Sequence, residues 1–497
     1  MYKFFSALLL AALSLLFAGS CNDDSFSESI NDRLTFSNDT ITFDTVFTTV
    51  GSVTKGFKVY NFNRKHIRIS RAYIKTGQAS DFRLNIDGMP GKDFENIDIA
   101  PGDSIFVFVE VTLDPVNDNN PLLVDDAVVF LCNGNTDEIV LEAFGQDVHL
   151  YNGKIIESET WTNDKPYLIL NSMAIDSGEV LTIEAGTKIY LHSNSSIIVW
   201  GKLQVNGTFE SPVEFTGDRF DRGYGRSSGG WETIFIHPRS RDNVINYAII
   251  KNSVRGIQVG QPEEPVRMPS LTLNNVCISN SSFSCIFAFG AEIVANNCIF
   301  ADAGYYGLVF LLGGKYNINH STVSIVGAFS VDAGLFERYS RDAGGACVAL
   351  SNRYYPHYAF DNNYVFYEKT LYNDLAEANF TNSIFYGNRD LELITDNHAE
   401  ASFNYFFDHC LLKQNADSVD ITDASHFRNI VLNEYPRFIN DSIINGQFNF
   451  RLDTLSPAKD IGTLEILDKY PLLRYDFEGK LRTTDGKPDL GAFEREE

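Results

Sequence analysis

A cluster of five arginines is the first feature of the sequence whose residue types could do chemistry. The cluster lies in a glycine-rich segment with one tryptophan and consists of Arg219, Arg222, Arg226, Trp231, Arg239 and Arg241. Arginine binds carboxylate and sulfate groups through paired N–H donors, so such a patch can hold acidic sugars. The acidic residues interleaved with the cluster, such as Asp218 and Glu232, could instead pair with it. The sequence leaves both interpretations open, an anion site and a set of surface ion pairs.

A second candidate binding segment, residues 328–376, is rich in phenylalanine and tyrosine and includes Tyr354, Tyr355 and Tyr358. Aromatic rings pack against the apolar faces of sugars, and tyrosine hydroxyls bond to sugar oxygens. A long insertion also needs a small core of its own, which the same rings can supply. The segment is therefore predicted either to bind a glycan or to pack on itself.

Catalytic groups cannot be assigned from spacing. Hydrolysis of a polysaccharide needs paired carboxylates, and β-elimination needs a base beside a uronate that calcium holds. Lys251, Arg255, Arg267 and Glu292 are candidate groove residues, although solvated coil faces also explain them. We predict no metal site and no cofactor, except calcium in the case of a lyase.

A repeat in the second half of the chain must position these groups. One polar residue recurs at the same place in each degenerate apolar row: Tyr247, Asn275, Asn297, His320, Asn382 and His409. Self-similarity of this kind predicts a solenoid of stacked coils. Asparagine adopts a left-handed turn at low cost, and stacked amides bond along a column, so all members except Tyr247 are predicted to form a structural ladder. The 62 residues from His320 to Asn382 predict two coils interrupted by the aromatic insertion.

Short apolar strands begin near Leu168 and are separated by single glycines at Gly178, Gly186, Gly201 and Gly207. Together with the later rows, this stretch resembles the right-handed parallel β-helix of pectate-lyase-like proteins. The resemblance implies that fold for residues 149–495. The Asp-Asp and Gly-His-Gly motifs of the related hydrolases are missing, and residues 267–269 match only half of the Arg-x-Pro-x-x-Arg motif of the lyases.

The C-terminal run, residues 455–495, resembles the terminal segment of exported bacterial β-helix proteins. The positions that carry this resemblance are Asp476, Gly479, Arg482, Asp489 and Gly491. Open coil ends would recruit other strands and must be covered. We therefore expect these residues to form a cap rather than a ligand site.

Residues 35–148 show alternating, β-branched strands separated by turn signals, which predicts an antiparallel sandwich. A strand that ends at Asn61, a turn at residues 101–103 and a closing Gly145 resemble the immunoglobulin-like domains of the ASPM/SPD-2/Hydin group. The predicted fold is therefore all-β, an N-terminal immunoglobulin-like sandwich followed by a right-handed parallel β-helix.

Residues 1–21 have the pattern of an export signal, with Lys3, an apolar run and small residues before Cys21. The segment resembles a bacterial lipobox, and the acidic tether at residues 22–34 resembles that of surface lipoproteins in Bacteroidota. The resemblance implies lipidation of Cys21 and a place in the outer membrane, facing the periplasm or the cell surface. Acyl chains anchor a protein without any transmembrane helix.

The composition limits the classes of partner that the protein is expected to bind. A formal charge of −25, from 65 acids against 40 bases, argues against nucleic acid as a partner. Six cysteines remain after Cys21, and their places in the apolar rows predict packed free thiols. The leading prediction is a lipid-anchored protein that binds an extended polymer along its β-helix, and a glycan is the polymer that the sequence favours. A divergent polysaccharide lyase acting on uronates and an adhesive surface protein with a protein partner are the alternatives.

Overall fold

The computed structural model describes residues 25–48, 50–115, 122–220, 227–262, 266–325, 345–354, 357–360, 363–366, 370–415, 419–440 and 449–495, the ranges 357–360 and 363–366 by their backbone alone. The chain divides into two compact units, Met1–Asp147 and Val148–Glu497. Strands dominate both units. No helix in the described ranges is long and apolar enough to cross a membrane.

The first unit is a sandwich of two five-stranded sheets, with orders β1-β3-β8-β5-β6 and β2-β10-β9-β4-β7. The strands are β1 (Thr35–Phe36), β2 (Thr40–Phe47), β3 (Lys55–Tyr60), β4 (Ile67–Ile74), β5 (Phe82–Ile86), β6 (Met89–Gly91), β7 (Asp93–Ile99), β8 (Ser104–Val111), β9 (Leu122–Cys132) and β10 (Asn135–Gln146). Neighbouring strands are antiparallel except β2 and β10, which run parallel. Alternate residues of both sheets, such as Phe57, Ile69, Val107 and Val128, form one buried core. The two sheets therefore pack face to face as a two-layer sandwich, as the period-two pattern of the sequence predicts.

The second unit is a parallel solenoid whose sheet has 24 strands among the described residues. They are β11 (His149–Ile156), β12 (Glu159–Trp161), β13 (Tyr167–Ile175), β14 (Val180–Glu184), β15 (Lys188–Leu191), β16 (Ser196–Val199), β17 (Lys202–Asn206), β18 (Val213–Gly217), β19 (Thr233–Ile236), β20 (Asn243–Asn246), β21 (Ala248–Lys251), β22 (Arg255–Val259), β23 (Ser270–Asn274), β24 (Cys277–Ser279), β25 (Ser284–Asn296), β26 (Ile299–Ala301), β27 (Tyr306–Asn319), β28 (Thr322–Ser324), β29 (Val348–Ser351), β34 (Leu375–Thr381), β35 (Ile384–Phe385), β36 (Leu393–Asp396), β37 (Phe406–Leu412) and β38 (Phe427–Leu432). From β13 on, most strands pair with the strand three places later, so a coil has three strands. This pairing makes the unit a parallel β-helix.

The three strands of each coil define three faces. Face 1 contains β14, β17, β20, β23, the second halves of β25 and β27, and β34. Face 2 contains β15, β18, β21, β24, β26, β28 and β35. Face 3 contains β16, β19, β22, the first halves of β25 and β27, β29 and β36. Inward side chains such as Ile257, Ile286, Leu308 and Val348 stack into one continuous core, whose burial drives coil stacking.

The recurring polar column lies at the turn between faces 1 and 2. Its members have left-handed backbone, with φ from 44° at His320 to 56° at Asn275. Each backbone N–H donates to the next coil, for example from Asn275 to the Asn296 carbonyl at 3.0 Å. A single left-handed residue redirects the chain between strands, which explains why asparagine recurs here.

The predicted amide ladder is displaced by one residue from this column over much of its length. Asn274 Nδ2 donates to Asn246 Oδ1 at 2.9 Å. The ladder continues through Asn296 and Asn319, each amide donating at 3.0 Å to the one before it. The prediction was therefore wrong for Asn275 and Asn297, whose amides bond elsewhere.

Within the column itself, side chains of adjacent coils meet at two places. Asn382 Nδ2 lies 2.8 Å from His320 Nε2, and Asn429 Nδ2 lies 3.1 Å from His409 Nε2. His320 and Asn382 thus meet through their side chains in the way that the ladder prediction describes, whereas His409 meets Asn429, which the prediction did not include.

The prediction of two coils between His320 and Asn382 was wrong. β27 pairs directly with β34, so the interval is a single coil. The predicted insertion 328–376 also contains a coil strand, Val348–Ser351, which pairs with β27 and β36. Between β29 and β34 the chain forms two hairpin-like pairs, from β30 (Arg353–Tyr354), β31 (His357–Phe360), β32 (Asn363–Phe366) and β33 (Leu371–Tyr372).

The C-terminal segment, residues 449–495, packs along face 2. It begins at β40 (Asn449–Leu452), which pairs with β39 (Phe438–Asn440), and it contains one short helix, α1 (Glu465–Lys469). Its apolar residues form a satellite core with outward residues of successive coils, including Cys277, Ile299, Ile384 and Leu411. The segment predicted as an end cap thus covers a flank of the solenoid.

Candidate functional site

A cavity of about 500 Å³ lies between face 1 and the C-terminal segment. We call it the amide pocket because asparagines are its commonest lining residues. The lining consists of Asn206, Gly207, Asn246, Tyr247, Asn274, Asn275, Leu472, Tyr475, Asp476 and Gly479. A cavity of this size fits one or two sugar rings or another small polar ligand.

The floor of the pocket is the open end of the amide ladder. Asn206, Asn246 and Asn274 are register partners on β17, β20 and β23, so their side chains stand about 4.8 Å apart along the solenoid. The Asn246 amide donates to the Val205 carbonyl at 3.2 Å and accepts from Asn274. An asparagine amide has two N–H donors and two acceptor lone pairs. The ladder bonds therefore leave hydrogen-bonding capacity on each amide for a ligand.

The opposite wall comes from the turn that follows α1. Leu473 is buried with Ile466 and Leu467 of α1, which fixes the turn. Tyr475 is 53% exposed, so its ring is accessible at the wall. Its backbone is held in place, since Asn297 Nδ2 donates to the Tyr475 carbonyl at 2.9 Å.

Two members of the polar column hold this wall against the solenoid. Asn275 Nδ2 donates to the carbonyls of Asp476 and Phe477 at 3.3 and 3.2 Å. Asn297 Oδ1 accepts from Arg482 Nη2 at 3.0 Å. These residues therefore position the pocket wall, a role that the ladder prediction did not foresee.

Arg482 holds the C-terminal segment together from within. Its guanidinium is fully buried and donates through Nη2 to the carbonyls of Gly491 and Ala492 at 3.1 and 3.0 Å. Nη1 lies 3.3 Å from Glu494 Oε2. A buried charge needs such partners to offset its lost hydration.

The electrostatic environment of the pocket is neutral to negative. Asp476 is the charged residue in its lining, and it is 1% exposed. Its Oδ1 accepts from the backbone N–H groups of Glu478 and Lys480, and its Oδ2 from that of Glu494, all at 2.8 Å. Burial, together with the negative charges of Glu210 and Asp476, raises the pKa of the Tyr247 hydroxyl.

The arginine cluster is only partly described. Arg222 and Arg226 lie outside the described residues. Arg239 is exposed, and Arg241 Nη1 is close to the carbonyls of its own loop, at 3.4 Å from Pro238 and 3.5 Å from Ser240. Arg219 is half-buried, and the adjacent Asp218 pairs with His192.

Trp231 was predicted to belong to the glycan- or anion-binding cluster, and this prediction was wrong. The side chain is fully buried in the solenoid core, and its Nε1 donates to the Lys251 carbonyl at 2.9 Å. Tryptophan supplies a large apolar surface, and its single donor finds a backbone partner here. The residue therefore stabilises the coil and has no surface for a ligand.

The aromatic insertion is described only in part. Tyr354 is half-buried and packs edge-to-face on Phe289, with ring centroids 5.1 Å apart. Tyr355 lies outside the described residues, and of Tyr358 only the backbone is described. Through this contact, an aromatic ring of the insertion packs on face 3 of the solenoid.

The candidate groove residues fall on different faces. Lys251 on face 2 pairs with Glu214, and Arg255 on face 3 lies 3.8 Å from Glu232. The Arg255 guanidinium also stands over the Phe287 ring at 5.7 Å. Within the described ranges, no group of three or more His, Cys, Asp or Glu side chains is placed to hold a metal ion.

Sequence reasoning missed the amide pocket although a signal existed. Each row has a polar residue directly before the column member, as in Asn274–Asn275 and Asn296–Asn297. The doubled asparagine could have shown that the side-chain amide of the first residue stacks on its neighbours while the backbone of the second residue makes the turn. The contribution of Tyr475 had no local signal, because it comes from a distant part of the chain.

Comparison with known proteins identifies no family for the chain. No family model matches it, and a search of curated proteins finds no match. The catalytic unit of a thermostable GH87 alpha-1,3-glucanase from Streptomyces thermodiastaticus is 8% identical, with 76% of this chain and 89% of that chain covered and a TM-score of 0.18.

Two further solved structures match shorter parts of the chain. A family 123 glycoside hydrolase from Clostridium perfringens is 6% identical over 26% of this chain and 30% of its own, with a TM-score of 0.18. The ASH/PapD-like domain 7 of human CEP192 is 12% identical over 24% of this chain and 87% of its own, with a TM-score of 0.17. The chain thus spans less than a third of the Clostridium protein. At these TM-scores the similarities carry no argument about function.

Proposed function

We propose that this protein binds an extended glycan through the amide pocket and the outer surface of face 1. The observation that carries the proposal is the row of asparagine amides in register beside the exposed ring of Tyr475. Amides donate to and accept from sugar hydroxyls, and an accessible aromatic ring packs against the apolar face of a sugar. The two kinds of group face one cavity, as recognition of a sugar requires.

The outer surface of face 1 supports an extended ligand. A second outward row beside the ladder is largely polar and includes Gln204, Thr272, Asn317 and Asn379. Asn379 Nδ2 lies 3.3 Å from Asn317 Oδ1, so amide contacts between coils continue beyond the pocket. Val244 and Val294 interrupt this row, so its polar groups recur on most coils, which are spaced by about 4.8 Å along the axis. A polymer that lies along the solenoid would therefore meet repeated hydrogen-bonding groups.

Substitution of Asn274 and Tyr475 tests this function. We expect Asn274→Ala and Tyr475→Ala each to weaken retention on a polysaccharide affinity gel by about tenfold, the effect of roughly 1.4 kcal/mol. The matched control is Tyr305→Ala, because Tyr305 is 40% exposed but lies just before face 3. Urea unfolding of each variant would separate a binding defect from a folding defect.

The outcome that contradicts the proposal is specific. If the wild-type protein is retained by a polysaccharide and only Tyr305→Ala weakens that retention, the amide pocket is not the binding site. If a panel of neutral and acidic polysaccharides retains none of the proteins, the glycan-binding function itself is wrong.

A further inference from the structure

We infer that the amide pocket selects neutral sugars and excludes glycans that carry carboxylate or sulfate groups, an inference that rests on the proposed function. Ten of the described residues line the pocket, and none of them is lysine, arginine or histidine. An anion that enters a partly enclosed site loses hydration, and only a countercharge or several strong donors can offset this loss. The pocket offers neutral amides, and those of Asn246 and Asn274 are already engaged with each other in the ladder.

The fixed charge nearest the ligand is negative. Asp476 is a lining residue, and its carboxylate lies behind the wall, where its oxygens accept from backbone N–H groups. Hydrogen bonds from neutral N–H groups add no countercharge, and the cation that interacts with Asp476 is the fully buried guanidinium of Arg482. Glu210 adds a second negative charge close enough to act on the Tyr247 hydroxyl. A sugar carboxylate would thus be repelled where a sugar hydroxyl is accepted.

The cations of the neighbouring wall are paired with acids. Arg474 Nη2 lies 3.4 Å from Asp468 Oδ1, and Lys480 Nζ lies 3.8 Å from Glu478 Oε2. A ligand anion would have to compete with these carboxylates for the cations. The net charge of −25 adds a long-range repulsion that salt screens over about 8 Å at physiological ionic strength.

The test compares chemically matched polymers. Neutral glucans, mannans and galactans, and carboxymethylated derivatives of the same polymers, would be immobilised and tested for retention of the full chain. We expect a retained neutral polymer to bind at least tenfold more tightly than its carboxymethylated derivative at low ionic strength. The difference should narrow as salt is added, because screening weakens the repulsion.

The outcomes separate this inference from the proposed function. Equal or tighter binding of the carboxymethylated polymer would overturn the neutral selectivity and leave glycan binding standing. A difference that salt does not change would also overturn it, since it would reflect steric bulk rather than charge. Failure to bind any neutral or acidic polymer would refute the proposed function and the inference with it.

A charge variant provides a second readout. Asn206 is an exposed lining residue of the pocket, so Asn206→Lys adds a cation to the lining. We expect this variant to bind the carboxymethylated polymer several-fold more tightly than the wild-type protein does. Met89→Lys is the control, because Met89 is 50% exposed in the sandwich and the substitution changes the net charge equally. If both variants bind the acidic polymer equally, the pocket charge does not set the selectivity.

Discussion

At the scale of single residues, the chain places ionisable groups where water cannot hydrate them. Glu494 is 4% exposed and lies against the backbone N–H of Asp489 and the guanidinium of Arg482. Burial and the nearby Asp489 carboxylate raise the pKa of Glu494 to about 8, although Arg482 opposes the shift. Burial also lowers the pKa of His320, and the positive charge of Arg482 acts in the same direction. These groups join the C-terminal segment to the polar column.

The raised pKa of Glu494 predicts a pH dependence of stability. Between about pH 4.5 and 8 the unfolded chain releases the Glu494 proton while the folded chain keeps it. The free energy of unfolding should therefore fall as the pH rises through this window and level off above it, as far as this group is concerned. Glu494→Gln removes that contribution, because the amide does not titrate.

Urea denaturation of the wild-type protein and Glu494→Gln between pH 5 and 8.5, a range set by the window above, would check this prediction. The stability of the wild-type protein relative to the variant should decrease as the pH increases. His320 and Asp489 titrate in both proteins and largely cancel in the difference. Parallel stability curves would show that Glu494 has the same protonation state in the folded and unfolded chain.

At the scale of elements, the C-terminal segment depends on contacts that one buried side chain organises. Arg482 donates to Asn297 Oδ1 in the polar column and to two carbonyls within the segment. Its removal would take this donor from the Asn297 side chain and from the two carbonyls, and it would leave Glu494 Oε2 with the backbone N–H of Asp489 as its donor. Removing one member of a buried polar network is more costly than losing an exposed ion pair, because the groups that remain keep their desolvation penalty.

Arg482→Ala is therefore expected to destabilise the second unit by about 3–5 kcal/mol and to open the C-terminal segment to proteases. Arg474→Ala in the same segment is the matched control. Its side chain is 57% exposed and pairs with an exposed aspartate, so we expect a change of about 1 kcal/mol or less. Urea denaturation and timed proteolysis would measure both effects. Equal sensitivity of the two variants would contradict the role of Arg482.

At the scale of the whole molecule, the chain combines two units that each have a separate apolar core. The six cysteines after Cys21 are buried free thiols, which confirms the prediction from their places in the rows. Burial raises the pKa of Cys277 and Cys298 to about 12, so neither is a reactive thiolate at neutral pH.

We propose that the molecule is held at the outer membrane through a lipid on Cys21, which lies outside the described residues. Cys21→Ser should move the protein from the membrane fraction to the soluble fraction, because acyl chains alone would supply the anchor. Cys132→Ser, which changes a buried cysteine of the sandwich, should leave the protein in the membrane fraction. Retention of the Cys21→Ser protein in membranes would refute the lipid anchor.

The sequence by itself determined the all-β architecture, the coil repeat and the turn positions. These are local properties, since alternating apolar residues choose an inner face and a left-handed residue redirects the chain. The column of Asn275, Asn297 and His320 was visible for this reason, and each member does occupy a left-handed turn. The free state of the buried cysteines followed from the same apolar pattern.

Only the tertiary structure decided which side chains meet. A shift of one residue along a strand changes the direction in which the side chain points. The sequence pattern therefore did not distinguish Asn274, whose amide bonds to the next coil, from Asn275, whose backbone makes the turn. Pairing between β27 and β34 made one coil of a stretch predicted to be two. The pocket wall reaches Asn275 from Asp476, 201 residues later, through backbone carbonyls that every residue has. A contact of that kind has no residue signature, and therefore the amide pocket became visible only in the folded chain.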